Sequence, residues 1–180
     1  MLLIIISTIL ILLSAIMAAY IVFFLVVPMI RGAVYVPSPW DRVYIMLDLL
    51  DIKPGDRAID VGSGDGRLVI EMAKKGAVAQ GIEINPLLVM WSNYKIKKAG
   101  LGHLAKIQWK NQWRQNFEEF DKVSVYGIPY IMSELEEKLR KELKPGSLVV
   151  SNAFPFPTWK PIKEENGNSE GAVRLYVKED

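Results

Sequence analysis

The residues able to do chemistry in this 180-residue chain are concentrated between positions 60 and 85. Asp60 sits near the end of a short apolar run. Gly62, Gly64 and Gly66 follow at alternate positions, with Ser63 and Asp65 between them. Glu83 ends the next apolar run, just before Ile84 and Asn85. Glycines let a backbone approach a ligand closely and take up positive φ. An acid ending the second strand of such a unit can accept both hydroxyls of a ribose. The pattern is that of a nucleoside-bearing cofactor laid across the carboxyl ends of a parallel sheet.

The spacing also narrows which cofactor. A dinucleotide fingerprint places its third glycine three residues after the second; here it comes one residue early, and two carboxylates flank the turn. A pyrophosphate beside Asp60 and Asp65 would be repelled. A cofactor carrying a sulfonium and a free amino group would be attracted, and S-adenosylmethionine has both. Asp60 and Asp65 are therefore assigned to the region of the methionyl amine. The 62–66 backbone packs along the cofactor, Glu83 takes the ribose hydroxyls, and Ile84 lies under the adenine. The rival is an ordinary strand–helix turn in which Asp60 bonds nearby amides.

These residues need a scaffold of alternating strands and helices. The spacing predicts strands at 58–61, 77–84, 106–109, 122–126, 147–151 and 172–177, and helices at 67–75, 86–98 and 133–143. A further helix should start at Ser38, with a capping box to Asp41, and carry Trp40, Val43, Tyr44, Leu47 and Leu50 at helical spacing. Ser133 and Glu136 form a second candidate capping box. Residues 163–171 read as a polar loop. The fold class is therefore α/β: a Rossmann-like, doubly wound, mostly parallel sheet.

The first charged residue is Arg31, after 29 uncharged and mostly apolar residues at 2–30. A helix of that length runs roughly 43 Å, against a bilayer core of about 30 Å. No Lys or Arg precedes the run and no A-x-A site follows it, which favours a retained transmembrane anchor over a signal peptide. The expected organisation is an anchor at 1–30, a linker at 31–38 and a catalytic domain at 39–180. Arg31 and Arg42 follow the anchor, which places the domain on the cytoplasmic side of a single-pass protein. A net charge of +2 is too mild to indicate nucleic acid. The chain has no cysteine, and no cluster with metal-ligand spacing, so no metal is expected.

Three further segments narrow the reading: 35–39 (Tyr-Val-Pro-Ser-Pro), 142–152 with its Lys-Pro-Gly turn, and 154–159 (Phe-Pro-Phe-Pro-Thr-Trp). With 60–67 and 81–85, they give the chain a resemblance to class I methyltransferases. Specifically, it resembles the protein lysine methyltransferases that include the mitochondrial enzymes acting on ATP synthase c-subunit and adenine nucleotide translocase, together with a soluble archaeal enzyme. The resemblance covers roughly 35–178. It implies that Tyr35 and its neighbours fold over the cofactor, that Tyr126, Gly127 and Pro129 form the acceptor site, and that Phe154, Phe156 and Trp159 wall the pocket. It also implies that Asn111 or Gln112 reaches the adenine edge. The chain departs from the family there, reading Lys110-Asn-Gln-Trp113.

The aromatic wall has a physical rationale of its own. A lysine amine must be neutral to attack, and its solution pKa is about 10.4. Desolvation lowers that value, and aromatic faces accommodate the methylated cation. Ordinary packing of a Pro-rich loop is the alternative for these residues. The function expected is methylation of protein lysine near a membrane, with an integral membrane protein as a candidate partner. Methylation of a lipid or small molecule is one alternative. A non-catalytic S-adenosylmethionine-binding module is the other.

Overall fold

The computed structural model describes residues 1–31, 35–167 and 171–180. Two compact units divide the chain, Met1–Val34 and Tyr35–Asp180. Residues 32–34 of the expected linker and 168–170 of the expected polar loop lie outside the described residues.

The first unit is a single helix, α1 (Leu2–Arg31). Its stretch Leu2–Phe23 is long and apolar enough to cross a membrane. A signal sequence would meet the same description. The hydroxyls of Ser7, Thr8 and Ser14 donate back to the carbonyls of Ile4 and Ile11 at 2.8–2.9 Å. These side chains therefore need no water, the condition a helix in hydrocarbon must meet.

The second unit is a three-layer α/β domain. Its elements run α2 (Trp40–Leu50), β1 (Arg57–Val61), α3 (Arg67–Lys74), β2 (Val78–Glu83), α4 (Pro86–Lys98) and β3 (Ala105–Trp109). A 3₁₀ turn (Gln112–Arg114), β4 (Lys122–Val125), α5 (Pro129–Glu142), β5 (Leu148–Asn152), β6 (Lys163–Asn166) and β7 (Ala172–Val177) follow. The strand order is β3-β2-β1-β4-β5-β7-β6. β1 to β5 are parallel, while β7 and β6 are antiparallel. The order reverses between β1 and β4, where ligands bind in open α/β sheets.

Apolar side chains fill both faces of the sheet. On one, Val43, Leu47 and Leu50 of α2, Leu68, Val69 and Met72 of α3, and Ile96 of α4 form one buried cluster. On the other, Met132, Leu135 and Leu139 of α5 pack with Phe117, Phe120, Ile59 and Val123. A buried side chain of this size contributes roughly 1.5–3 kcal/mol.

Several local expectations are corrected. α2 begins at Trp40 behind Pro39, with no side-chain cap at its N-terminus. Ser38 instead accepts a hydrogen bond from the Asn152 side chain at 3.2 Å. Its buried face is Val43, Met46, Leu47, Leu49 and Leu50, so Trp40 and Tyr44 lie outside, stacked on one another at 6.1 Å. α5 starts four residues earlier than expected, at Pro129, whose fixed φ suits a first helical turn. Glu136 is then mid-helix, where its carboxylate accepts from Thr158 N at 3.0 Å and Thr158 Oγ1 at 2.5 Å. The stretch 163–166, expected as loop, is the edge strand β6, held by the Arg174–Glu164 ion pair across to β7.

Candidate active site

The turn after β1 is built by backbone geometry. Gly62, Gly64 and Gly66 all take positive φ, at 76°, 52° and 76°. Only glycine adopts this repeatedly without strain, which explains the alternate spacing. The amides of Gly62 and Ser63 both donate to the carbonyl of Ile82 at 3.0 Å, pinning the turn to β2. Gly81 makes that approach possible, since a Cβ there would come within 2.6 Å of the Ser63 side chain. Ser63 is buried, and its hydroxyl is the buried side-chain atom without a hydrogen-bond partner among the described residues.

Glu83, buried at the end of β2, holds two ends of the site together. Its Oε2 accepts from Gly64 N at 2.9 Å and its Oε1 from Asn85 N at 2.8 Å. A carboxylate offers about four lone-pair positions, so room for two more donors remains. Asn85 caps α4, its Oδ1 accepting from Leu87 N and Leu88 N. The Ile84 carbonyl takes the Trp109 indole N–H at 2.9 Å. The chain after β3 returns here as well, because Lys110 N donates to the Glu83 carbonyl at 3.1 Å. This brings Asn111 and Gln112 beside the Glu83 end. Asn111 uses its Oδ1 to cap the short 3₁₀ turn through Trp113 N.

Asp60 is buried near the end of β1, and its Oδ1 accepts from Ser124 Oγ at 2.6 Å. Burial pushes its carboxyl up to about 7, with the Glu83 and Asp65 charges adding to the rise and the Ser124 hydrogen bond opposing it. Asp65 differs. Burial acts to raise its pKa, but hydrogen bonds and charge from Arg67 and Lys95 outweigh that and leave it below the usual carboxylate range. Its oxygens accept from Arg67 Nε and Lys95 Nζ, both at 2.9 Å. Among the described residues, Asp60 is thus the carboxyl of the turn facing no cation at hydrogen-bond distance, while Asp65 already has two.

Tyr35 lies over the turn, its ring so close to Gly64 that a Cβ there would fall 2.5 Å from ring carbon Cε2. Burial raises its phenol pKa, Asp65 raises it further and Arg67 opposes. A network fixes this segment. Arg67 donates to the Ser38 carbonyl at 2.7 Å, Asn152 donates to Ser38 Oγ, and buried Arg42 donates to Asn152 Oδ1 at 2.7 Å. Ser124 carried no motif in the sequence, and Arg42, Arg67 and Asn152 carried no assigned role at the site. Their roles arise only when α2, α3, β4 and β5 are brought together.

Across the switch point, half-buried Tyr126 follows β4 and stacks on Phe154 at 6.5 Å and 25°. Pro129 opens α5 just beyond. Ala153, ahead of Phe154, has φ 66°, a left-handed conformation unfavourable for a residue with a Cβ. It is held by bonds to Ala172 O and from Arg174 Nη1. Phe156 and Trp159 lie deeper, buried against Tyr176 at ring distances of 4.9 and 5.4 Å. Their faces are used in packing, and the Trp159 indole donates to Val177 O.

The residues present fit an S-adenosylmethionine-type group. Asp60 offers a buried carboxyl for a cation, Glu83 has acceptor capacity for a diol, and a Cβ on Gly62 would meet nothing within 4 Å. Fold and site together define a class I methyltransferase domain, the S-adenosylmethionine-dependent type.

Comparison with known proteins narrows the class. Residues 60–163 match the model of the ANTKMT methyltransferase domain, and the chain belongs to that family. It is 38% identical over 127 residues to the ATP synthase c-subunit lysine N-methyltransferase of Homo sapiens, covering 71% of this chain and 54% of that protein. It is 37% identical over 148 residues to a protein-lysine N-methyltransferase of Saccharolobus islandicus, covering 79% of this chain and 92% of that one. Among solved structures, an RNA methyltransferase of Salinibacter ruber in complex with S-adenosyl-L-homocysteine superposes with a TM-score of 0.78 at 33% identity. That match covers 81% of this chain and 95% of the other. The chain spans about half the length of the mammalian ATP synthase c-subunit lysine N-methyltransferases it matches.

Proposed function

We propose that this chain transfers a methyl group from S-adenosylmethionine to lysine side chains of a protein lying at a membrane. The observation that carries the proposal is the pair of acid-tipped strands around the glycine turn, facing the Tyr126–Phe154 aromatic pair across the switch point. The similarity to the human and Saccharolobus lysine methyltransferases supports the acceptor class.

The chain's residues have separable tasks. Asp60 holds the amino end of the donor, and Glu83 holds its ribose while fixing Gly64 and Asn85. Asn111 or Gln112 would reach the adenine edge. Tyr35 closes the turn from above, tied down by Arg67 and Asn152. The donor supplies an electrophilic methyl on a positively charged sulfur. Tyr126, Phe154 and the Pro129 turn then exclude water from the acceptor amine, favouring its neutral form, and align it for in-line displacement. Phe156 and Trp159 back this wall rather than line it. The acceptor ammonium would lose a proton to solvent before attack, and transfer would leave the donor as its neutral thioether and the lysine as a methylammonium.

The apolar surface of α1 is the basis for membrane attachment through Leu2–Phe23. Arg42 is buried in the domain, so the cytoplasmic placement rests on Arg31, which follows the span. Purified full chain incubated with methyl-labelled donor and protein, RNA or phospholipid acceptors tests the acceptor class. Label recovered as methyl-lysine supports the proposal. Label confined to RNA or lipid, or no transfer, contradicts it.

A further inference from the structure

Helix α4 has two apolar faces, and the core uses one. Val89, Ser92 and Ile96 turn inward, with Ser92 and Ile96 fully enclosed. Leu87, Met90, Trp91 and Tyr94 recur at 3–4-residue spacing on the opposite side, 50–69% exposed. Trp91 and Tyr94 stack at 5.6 Å, forming an aromatic ridge in the open. Trp109 continues the surface at the end of β3, 66% exposed and anchored by its bond to the Ile84 carbonyl. A surface helix ordinarily turns polar residues outward.

Charge identifies what would cover this face. Between Glu83 and Glu118 the chain has no acidic residue and six cations, Lys95, Lys97, Lys98, Lys106, Lys110 and Arg114, of which Lys95 is paired with Asp65. With the chain at +2, the remainder carries −4. Lys97 and Lys98 are exposed in the last turn of α4, beside the ridge. Exposed Trp, Tyr, Leu and Met bordered by lysine is the composition of a surface that lies in the headgroup region of an anionic bilayer. Trp and Tyr favour that depth because their rings are amphipathic.

We infer that the outer face of α4, with Trp109, docks the catalytic domain flat onto a bilayer containing anionic lipid. The inference rests on the membrane reading of α1, because a helix held in the bilayer would tie Tyr35 to it by four residue steps, at most about 15 Å of chain. α4 starts at Pro86, capped by Asn85 beside Glu83, so docking would bring the rim of the donor site to the level of headgroups. That is where a lysine of an integral membrane protein would be presented.

The chain contains no cysteine, so single labels are unambiguous. Met90→Cys on α4 and Lys141→Cys on α5, on the opposite layer, would carry an environment-sensitive fluorophore. The labelled full-length protein would be reconstituted into vesicles of phosphatidylcholine with phosphatidylserine, or of phosphatidylcholine alone, at about one copy per vesicle. Expected at position 90 are a blue-shifted emission and loss of quenching by aqueous iodide, strongest with phosphatidylserine and reversed by Lys97→Glu with Lys98→Glu. Position 141 should stay fully quenched. Three results overturn the inference: equal quenching at both positions, protection at 90 that grows with copies per vesicle, or protection that requires an added acceptor protein. Failure of the protein to float with vesicles at all would remove the α1 reading as well, which separates the two claims.

Discussion

Asp60 is placed at a cost to the folded protein, and that cost is measurable. Its carboxyl titrates near 7 in the folded state against a reference of 3.8. Between those values the native state keeps a proton that the unfolded chain has released, so this group's contribution to stability declines as pH rises from about 4 and is fully lost above about 7. At about 1.4 kcal/mol per pKa unit, the penalty reaches about 4 kcal/mol at pH 8 and is under about 2 kcal/mol at pH 5. Asp60→Asn keeps the shape and an acceptor for the Ser124 hydroxyl while removing the charge. The ligand-free variant should therefore be more stable than the parent at pH 8, with a gap that shrinks by more than half at pH 5. Urea unfolding in detergent, followed by tryptophan fluorescence at the two pH values, measures both. A gap independent of pH, or a variant less stable at pH 8, would refute the assignment of a raised pKa to Asp60.

The same titration should appear in ligand binding. S-adenosylhomocysteine, which retains the amino group, should bind about tenfold more weakly for each pH unit below 7 and evenly above it, a profile that Asp60→Asn flattens. Ser63→Ala removes a buried hydroxyl that has no partner among the described residues and should stabilise the domain by about 1 kcal/mol, raising Tm by about 2–4 °C in differential scanning fluorimetry. Gly62→Ala strains a residue at φ 76° by roughly 1–2 kcal/mol and leaves the fold intact, since the new methyl meets no protein atom within 4 Å. It should nonetheless strongly weaken S-adenosylhomocysteine binding in equilibrium dialysis; unchanged affinity would mean the open space over Gly62 is not used by the ligand.

Much of the fold was legible because its signals are local. Apolar runs bounded by glycine and proline gave the strands β1 to β5, and the switch from period 2 to period 3.6 gave α3 and α4 within a residue of their ends. Where local signals competed, the sequence misled. Ser38 and Ser133 each resemble helix caps. Yet Ser38 is recruited by Asn152, and Pro129 starts α5 a turn before Ser133. β6 reads as loop because it is a short edge strand, polar throughout and held by one cross-strand ion pair. Trp40 and Tyr44 share helical spacing with Val43 and Leu47, and spacing alone does not say which side of that stripe meets the sheet.

The site divides the same way. The glycine turn, Asp60 and Glu83 announce themselves because one short segment supplies both the backbone geometry and the charge. The roles of Asp65 and Arg42 depend on partners 30 and 110 residues away, Lys95 and Asn152. The family resemblance implied Phe156 and Trp159 as pocket walls, but Tyr176, from a strand that reads only as apolar, packs against their faces.

Calorimetric titration of S-adenosylhomocysteine into the full-length protein, alongside Glu83→Ala, bears most directly on the acid-tipped cradle. One-to-one binding by the parent, weakened by about 1–3 kcal/mol when the ribose acceptor is removed, is the expected result. No binding by the parent, or equal affinity in the variant, would contradict it.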